Sequence, residues 1–241
     1  MRSPILACLG LLVSFFQLCS ESARADGPIR VACIGDSLTA GAKVKADTES
    51  YPARLQEMLG AGYVVKNFGL GGATMIRKGS PNIFKELPAA SAFQPQIAIV
   101  NFGINDTRSR DVSFWSHFDE FPADARAALT ELLDLPSQPF VLLCLPTAVF
   151  ADLPGQAQER KDINSERQPR LVEVRAKLRE IAASFAGRRI EVVDLFAATE
   201  KHPEIADPDG VHFNLAGYRL MAEALRPHVE AVARKLAAVA K

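Results

Sequence analysis

The chain is poor in the features that mark several classes of protein. Its 241 residues include four cysteines, one tryptophan and three tyrosines, and the formal net charge is zero. No cysteines and histidines stand at the spacing of zinc ligands, so we expect no bound metal. A balanced charge gives no electrostatic reason to bind nucleic acid or an anionic membrane, and we expect neither partner.

Long apolar runs are also absent, apart from the N terminus and the periodic stripes of predicted core helices. Residues 5–18 form the terminal run, Arg2 precedes it, and Ala23-Arg24-Ala25 follows with the small-x-small pattern of a signal-peptidase site. The run is shorter than the roughly 20 residues that span a bilayer, which disfavours the alternative of a membrane anchor. We therefore interpret residues 1–25 as a signal peptide, and expect a periplasmic or secreted protein with no stable membrane insertion after cleavage.

The cysteines do not suggest a disulfide framework. Two of the four lie within residues 1–25, and the others, Cys33 and Cys144, lie in apolar runs where cysteine usually acts as a small buried hydrophobic residue. Export would permit a disulfide bond. We nevertheless predict two free thiols in the core.

The remaining 216 residues, 26–241, alternate between short apolar runs and amphipathic segments. The runs predict strands at 29–34, 63–67, 97–102, 140–145 and 190–195. The segments predict helices at 51–59, 83–92, 123–133 and 171–185, and a last helix that begins after Asn214 and runs past Pro227. Strands that are apolar throughout indicate a parallel sheet covered on both faces. We predict one domain, a three-layer α/β/α sandwich with five parallel strands, and an irregular segment at 146–168.

Four polar motifs follow ends of the predicted strands. They are Gly35-Asp-Ser37-Leu-Thr39, the segment from Asn67 to Thr74 that contains Gly72, Gly103-Ile-Asn105-Asp106, and Asp209-Gly-Val-His212. In open α/β sheets, ligands bind at the carboxyl ends of the strands. The motifs would bring together a serine nucleophile, hydrogen-bond donors for an oxyanion, and a histidine with a nearby carboxylate, as an ester-cleaving site requires.

Three of the four motifs also have a simpler interpretation. Ser37 could cap a helix, Asn105 could form a turn with Asp106, and Gly69-Leu-Gly-Gly72 could be a tight turn. A dinucleotide-binding loop is disfavoured because the full Gly-x-Gly-x-x-Gly spacing is missing. The chain also lacks the Gly-x-Ser-x-Gly motif of ordinary α/β-hydrolases.

Four histidines compete for the role of general base: His117, His202, His212 and His228. Only His212 follows an aspartate by three residues, so that in a turn the carboxylate of Asp209 can orient its imidazole ring. We prefer His212, with His202 as a distant second.

The four motifs, in this order, resemble the conserved blocks of the SGNH (GDSL) hydrolases over nearly all of residues 26–241. The resemblance implies a flavodoxin-like sandwich, Ser37 as the nucleophile, His212 as the base and Asp209 as its orienting residue. It also implies an oxyanion hole formed by Gly72, Asn105 and the Ser37 N–H. One departure is Phe213, where proline is more usual, and we expect it to alter the rim of the cleft.

Within that family, Ser50-Tyr-Pro-Ala-Arg-Leu55, Asn67-Phe-Gly69 and Cys144-Leu-Pro146 resemble exported proteins described as sialate O-acetylesterase-like. The expected activity is hydrolysis of short acyl esters, chiefly acetyl groups on carbohydrates, without a metal or organic cofactor. A lysophospholipase or thioesterase, or a non-catalytic carbohydrate-binding protein on the same fold, is the alternative. Arg77, Lys78, Arg108 and the segment 146–168 are possible contacts for sugars, although each charge is more readily explained as an ordinary solvated side chain.

Overall fold

The computed structural model describes residues 27–110 and 112–239, so the predicted signal peptide lies outside the described residues. Five parallel strands form one sheet in the order β2-β1-β3-β4-β5. The strands are β1 (Ile29–Gly35), β2 (Tyr63–Gly69), β3 (Ile97–Asn101), β4 (Phe140–Leu145) and β5 (Ile190–Asp194). The helices are α1 (Ser37–Ala40), α2 (Ala46–Glu49), α3 (Tyr51–Leu59), α4 (Leu87–Ala92), α5 (Phe121–Leu133), α6 (Gln158–Ser184), α7 (Leu195–Thr199) and α8 (Leu215–Val239).

The sheet is covered on both faces, which confirms the predicted α/β/α sandwich. Alternate residues of a strand point to opposite faces, and β1 shows this clearly. Val31 and Cys33 pack in the cluster that includes α3 and α8, whereas Ala32 and Ile34 pack in the cluster with α4, α5 and the later turns of α6. All four side chains are fully buried. The apolar composition of the central strands is the consequence of this double coverage.

The three strands on one side of the sheet end at the same level. Gly35 at the end of β1 is in register with Gly69 of β2 and with Asn101 of β3. The loops that follow these strands therefore begin side by side at the carboxyl edge. This edge carries the four polar motifs.

The prediction for residues 146–168 is wrong in its second half. Helix α6 begins at Gln158 and continues through Pro169. The sequence pattern does not predict the first turns of α6, because they carry no apolar stripe. Asn164 and Arg167 are the side chains buried there, and apolar residues take over the buried positions only from Leu171 onward. The predicted helix at 83–92 also begins as a 3-10 turn at Ile83–Lys85, before α4.

The two described cysteines are free and buried, as predicted. Cys33 lies on β1 and Cys144 on β4, and β3 runs between these strands. Burial raises the pKa of both thiols well above its ordinary value, so neither is a reactive thiolate. None of the helices in the described part of the chain is both long enough and apolar enough to cross a membrane.

Candidate active site

Ser37 is the first residue of α1, directly after the tight turn that ends β1. Asp36 caps this short helix, since its Oδ1 accepts the Leu38 N–H at 3.0 Å. Gly35 is required by the turn, because a Cβ there would lie 1.9 Å from the Thr39 hydroxyl oxygen and 2.7 Å from the Asn101 carbonyl oxygen. Ser37 thus begins the helix with its side chain at the edge of the sheet, and does not itself act as the cap.

The Ser37 hydroxyl meets His212, which is 175 residues away in sequence. Ser37 Oγ lies 2.8 Å from His212 Nε2. On the other side of the imidazole ring, Nδ1 lies 2.7 Å from Asp209 Oδ2. Serine, histidine and aspartate therefore form one continuous line of hydrogen bonds. In such a line the carboxylate fixes the tautomer that leaves Nε2 free to accept the serine proton.

Asp209 is held in its charged form. Burial by itself raises the pKa of its carboxyl. Hydrogen bonds from the His212 ring and from the backbone N–H groups of His212 and Val211 together lower the pKa by more, so that it lies well below its ordinary value. Both of those backbone bonds go to Oδ1 and measure 2.9 Å. Lys43 Nζ lies 3.8 Å from Oδ2 and adds a positive charge. The carboxylate can therefore stabilise an imidazolium ion on His212.

The loop of Asp209 is anchored by a residue that sequence reasoning missed. Asn164 of α6 is fully buried, and its Nδ2 donates to the carbonyl oxygens of Asp209 and Phe150, each at 2.9 Å. Gly210 has a φ of +73°, and a Cβ there would come within 2.1 Å of the Phe150 carbonyl oxygen. The only signal in the sequence was a polar residue inside a segment that was predicted to be irregular.

Gly72 and Asn105 lie beside each other across the loops that follow β2 and β3. Gly72 has a φ of +78°, a left-handed conformation that suits glycine. Asn105 is 9% exposed, and its Nδ2 donates to the carbonyl oxygen of Ala73 at 3.0 Å. The amide therefore bridges two loops, and the turn with Asp106 considered as an alternative does not use this side chain.

The carboxyl of Asp106 also joins the loops that follow β2 and β3. Its two carboxyl oxygens accept the N–H groups of Met75 and Ile76 at 3.1 and 2.9 Å. The side chain is fully buried, and burial raises the pKa of the carboxyl to about 7 despite these hydrogen bonds. Within the described residues, the backbone N–H groups of Ser37 and Gly72 donate to no protein acceptor, so both remain available to a ligand.

All four histidines lie near a carboxylate, and among the described residues only His212 also contacts a serine hydroxyl. The other pairs are His117–Glu120 at 3.7 Å, His202–Glu204 at 2.9 Å and His228–Glu191 at 2.7 Å. A nearby carboxylate alone therefore does not distinguish a candidate base in this chain. Within residues 27–110 and 112–239, no three histidine, cysteine or acidic side chains are grouped so that they could hold a metal ion.

Phe213 does not reach the rim of the cleft, and that expectation is wrong. The side chain is fully buried and meets Tyr218 edge-on, with ring centroids 6.3 Å apart. Residues 206 and 213 form an antiparallel bridge, and along such an extended segment successive side chains point in opposite directions. His212 faces the site, and Phe213 consequently faces the core.

The three basic residues considered as sugar contacts have different surroundings. Arg77 Nε lies 3.4 Å from Asp124, and Lys78 Nζ lies 2.5 Å from Glu120. These two are ordinary surface ion pairs. Arg108 lines a pocket beside α6, and its guanidinium lies 5.6 Å from the ring centroid of Phe114.

Residues 33–220 match the model of the GDSL-like lipase/acylhydrolase family. The chain belongs to this family. An acetylxylan esterase of Xylanibacter ruminicola is 31% identical over 224 residues, which cover 85% of this chain and 44% of that protein. The chain thus spans less than half the length of this curated relative.

Solved structures share the fold at lower sequence identity. A lipase/acylhydrolase from Enterococcus faecalis has a TM-score of 0.63 at 22% identity, covering 84% of this chain and 96% of its own. A carbohydrate acetylesterase family member from Sinorhizobium meliloti has a TM-score of 0.61 at 18% identity, covering 85% and 98%. These likenesses confirm the SGNH hydrolase fold that the motifs implied.

Proposed function

We propose that the protein is a serine esterase that removes short acyl groups, chiefly acetyl, from carbohydrates. The observation that carries this proposal is the unbroken line from the Ser37 hydroxyl through His212 to Asp209, with hydrogen bonds of 2.8 and 2.7 Å. Such an arrangement serves to activate a serine hydroxyl. A carbohydrate-binding protein without catalytic activity would have no need to keep all three groups in contact.

The reaction would proceed in two halves. His212 Nε2 takes the proton of Ser37 Oγ while the oxygen attacks the ester carbonyl carbon, and a tetrahedral oxyanion forms. His212 then gives that proton to the leaving alcohol oxygen, and the acyl group stays on Ser37. In the second half, a water molecule loses its proton to His212 and attacks the acyl-enzyme. The acid is released, and Ser37 recovers its proton.

The oxyanion would be held by three donors. They are the backbone N–H groups of Ser37 and Gly72 and the second N–H of the Asn105 amide, whose first N–H binds Ala73. Donors that are fixed before the reaction stabilise developing charge without any cost of reorganisation. This fits the way in which Asp106 and Asn105 join the two loops.

Two observations support a carbohydrate ester as substrate in preference to a lipid. The relative with 31% identity is an acetylxylan esterase, which acts on an acetylated polysaccharide. In the described part of the chain, the large apolar side chains that are well exposed are Val172 and Leu215, at 58% and 49%. They lie on different helices, α6 and α8, and two separate residues do not form the apolar face that docks an enzyme on lipid.

The test is a comparison of kcat/KM across p-nitrophenyl esters from C2 to C12, followed by acetate release from acetylated xylan and O-acetyl sialic acid. We expect a maximum at C2 and release of acetate from at least one carbohydrate. A maximum at C8 or longer, with no acetate released from either carbohydrate, would favour the lysophospholipase or thioesterase alternative.

We also propose that residues 1–25 are removed during export and that residues 26–241 are the mature hydrolase domain. The support is the run of residues 5–18 followed by Ala23-Arg24-Ala25. The intact mass of the exported protein should correspond to a chain that begins at Asp26. A mature species that keeps residues 1–25 would contradict this proposal.

A further inference from the structure

Lys43 joins two segments of the candidate active site. It lies in the loop between α1, the helix that Ser37 begins, and α2. Its Nζ lies 3.6 Å from Asp207 Oδ1 and 3.8 Å from Asp209 Oδ2. Both aspartates belong to the loop that leads to His212. The ammonium group of Lys43 therefore links the segment of the serine to the loop of the base.

The backbone around Lys43 is fixed by neighbouring elements. Ala42 donates its N–H to the Ser37 carbonyl oxygen at 3.0 Å, and its own carbonyl oxygen accepts the Tyr218 hydroxyl of α8 at 2.7 Å. Lys43 has a φ of +75°, in the left-handed region that favours glycine. A side chain there has a conformational cost, so the contacts that it makes are where a function is to be sought.

The carboxylate of Asp209 is shared between Lys43 and His212. Its Oδ2 lies 3.8 Å from Lys43 Nζ and 2.7 Å from His212 Nδ1. Among the described residues, these are the two basic side chains within ion-pair distance of that carboxylate. One oxygen atom thus stands between the ammonium group and the imidazole ring. A positive charge so close disfavours a second positive charge on the ring.

Other charged groups lie on the elements around His212 and Lys43. By element they are Asp207 and Asp209 on the loop of His212, Asp36 before α1, Asp106 after β3, Arg167 on α6, Asp47 and Glu49 on α2, Glu204 paired with His202, and Arg219 paired with Glu223 on α8. All of these groups stay in the protein when Lys43 alone is replaced. A difference between the wild type and a Lys43 variant therefore reports the ammonium group.

We propose that Lys43 is a positioning residue for the line from Ser37 through His212 to Asp209: by sharing the Asp209 carboxylate with the imidazole ring, its ammonium group keeps His212 neutral to lower pH. The inference rests on the proposed esterase function, and it adds a control of the pH range in which that function operates. Neutral imidazole is the form that can accept the serine proton. Lys43 acts through Asp209, the group that its charge contacts.

The kinetic test is the pH profile of kcat/KM on p-nitrophenyl acetate for the wild type, Lys43→Met and Lys43→Glu. Loss of the charge should move the midpoint of the acid limb upward by about half a pH unit, and reversal of the charge by about one unit, the size of a Coulomb interaction over several ångströms near the protein surface. The Lys43 side chain is 49% exposed. The shift should therefore largely disappear at about 1 M salt, where charges are screened beyond about 3 Å.

Three further variants separate the charge from the structure of the loop. Lys45→Met is the matched control, since Lys45 lies in the same loop, is exposed, and forms no ion pair within the part of the chain that the structure describes. It should keep the wild-type midpoint, as should Lys43→Arg, which retains the charge. Lys43→Gly should shift as Lys43→Met does, because it removes the charge while suiting the left-handed backbone.

Three results would overturn the proposal. An equal shift in Lys45→Met would mean that the profile follows the overall charge of the protein. An equal shift in Lys43→Arg would mean that the shape of the side chain matters and not its charge. An acid limb that stays in place in Lys43→Met and Lys43→Gly would mean that Lys43 only supports the loop.

An NMR titration of the His212 ring separates this proposal from the esterase proposal, because it does not depend on turnover. The ring resonance is identified by its loss in His212→Gln, and its titration midpoint is compared in the wild type, Lys43→Met and Lys45→Met. We expect an upward shift in Lys43→Met alone. If that shift occurs in a protein that hydrolyses no ester, the esterase proposal fails and the effect of Lys43 on His212 stands. If esters are hydrolysed and the three midpoints are equal, the Lys43 proposal is wrong.

Discussion

The two sides of the candidate site are held in place by different kinds of contact. On the base side, Ser37, His212 and Asp209 meet through hydrogen bonds between their own side chains. On the oxyanion side, the loops of Gly72 and Asn105 are held by hydrogen bonds between side chains and the backbone. The Asp106 carboxyl accepts the N–H groups of Met75 and Ile76, and the Asn105 amide donates to the Ala73 carbonyl. The base side is partly open to solvent, with side-chain exposures of 22% for His212 and 18% for Asp209, whereas Asp106 is fully buried.

This difference matches what each side has to do. Groups that exchange a proton must touch one another directly, and they need access to substrate and water. Donors to an oxyanion act by being in place before charge develops, which favours a rigid, buried support. Substitutions on the base side should therefore affect chemistry far more than stability. Substitutions of the buried residues that support the oxyanion side should affect both chemistry and stability.

The largest effect is expected from removal of the nucleophile or the base. Ser37→Ala and His212→Ala should each lower kcat by roughly 10⁴- to 10⁶-fold, because the first removes the attacking oxygen and the second removes the group that takes its proton and passes it to the leaving group. The double variant should be little worse than either single variant. The measurement is kcat on p-nitrophenyl acetate together with the thermal unfolding midpoint, which should change little.

His202→Ala is the matched control for the base, since His202 also pairs with a carboxylate but contacts no serine in the part of the chain that the structure describes. It should keep nearly the full kcat. Loss of turnover in His202→Ala, with turnover retained in His212→Ala, would reverse our assignment of the base.

Replacement of the orienting carboxylate should have a smaller or at most comparable effect. Asp209→Asn keeps the size of the side chain but removes the charge and presents an amide to His212 Nδ1, which favours the wrong tautomer. We expect kcat to fall by up to roughly 10⁴-fold. Steady-state kinetics decide this, and a variant with wild-type kcat would show that His212 does not depend on Asp209.

A single donor on the oxyanion side should matter less. Asn105→Ala should lower kcat by roughly 10²- to 10³-fold with little change in KM, because the amide is aimed at charge that appears only in the transition state. Parallel measurements of kcat and KM test this assignment. An effect confined to KM would instead make Asn105 a contact for the bound substrate.

The smallest effect concerns the pH dependence of stability, through two buried carboxyls: Asp106 on the oxyanion side and Asp36 next to Ser37. Burial raises the pKa of Asp106 to about 7 and that of Asp36 to about 6, whereas both carboxyls titrate near 3.8 in the unfolded chain. Between about pH 4 and pH 7 the unfolded chain has lost protons that the folded protein still holds, so stability contributed by these groups falls as pH rises through this window. The thermal midpoint should fall less steeply from pH 5 to pH 8 in Asp106→Asn than in the wild type. Equal slopes would contradict this role for Asp106.

The short motifs were enough to predict the residues that the structure brings together. Ser37, Gly72 and Asn105 follow β1, β2 and β3, and a parallel sheet brings such positions to one edge regardless of how the chain runs between them. His212 could be distinguished from the other histidines because the spacing to Asp209 is local. The catalytic roles of these residues stay predictions until they are tested.

What could not be predicted depends on contacts between distant segments. Asn164 lies 45 residues from Asp209, whose carbonyl it binds, and Arg110 lies 56 residues from Glu166. Neither pair leaves a pattern in the sequence, because the first turns of α6 bury polar side chains and so lack the apolar periodicity that marks a helix. The burial of Asp106 could not be predicted either, since Asn-Asp is a common turn sequence and nothing local shows that the carboxyl is buried.

The central claim, that Ser37 is a nucleophile activated by His212, is tested most directly by covalent trapping. The wild type, Ser37→Ala and His212→Ala are each treated with a serine-directed organophosphonate, and the labelled peptide is identified by mass spectrometry. We expect one adduct on the wild type, located on Ser37, with loss of esterase activity in proportion to labelling. His212→Ala should be labelled far more slowly, and Ser37→Ala not at all. Labelling of a different serine with loss of activity, or full esterase activity after complete labelling of Ser37, would contradict the account.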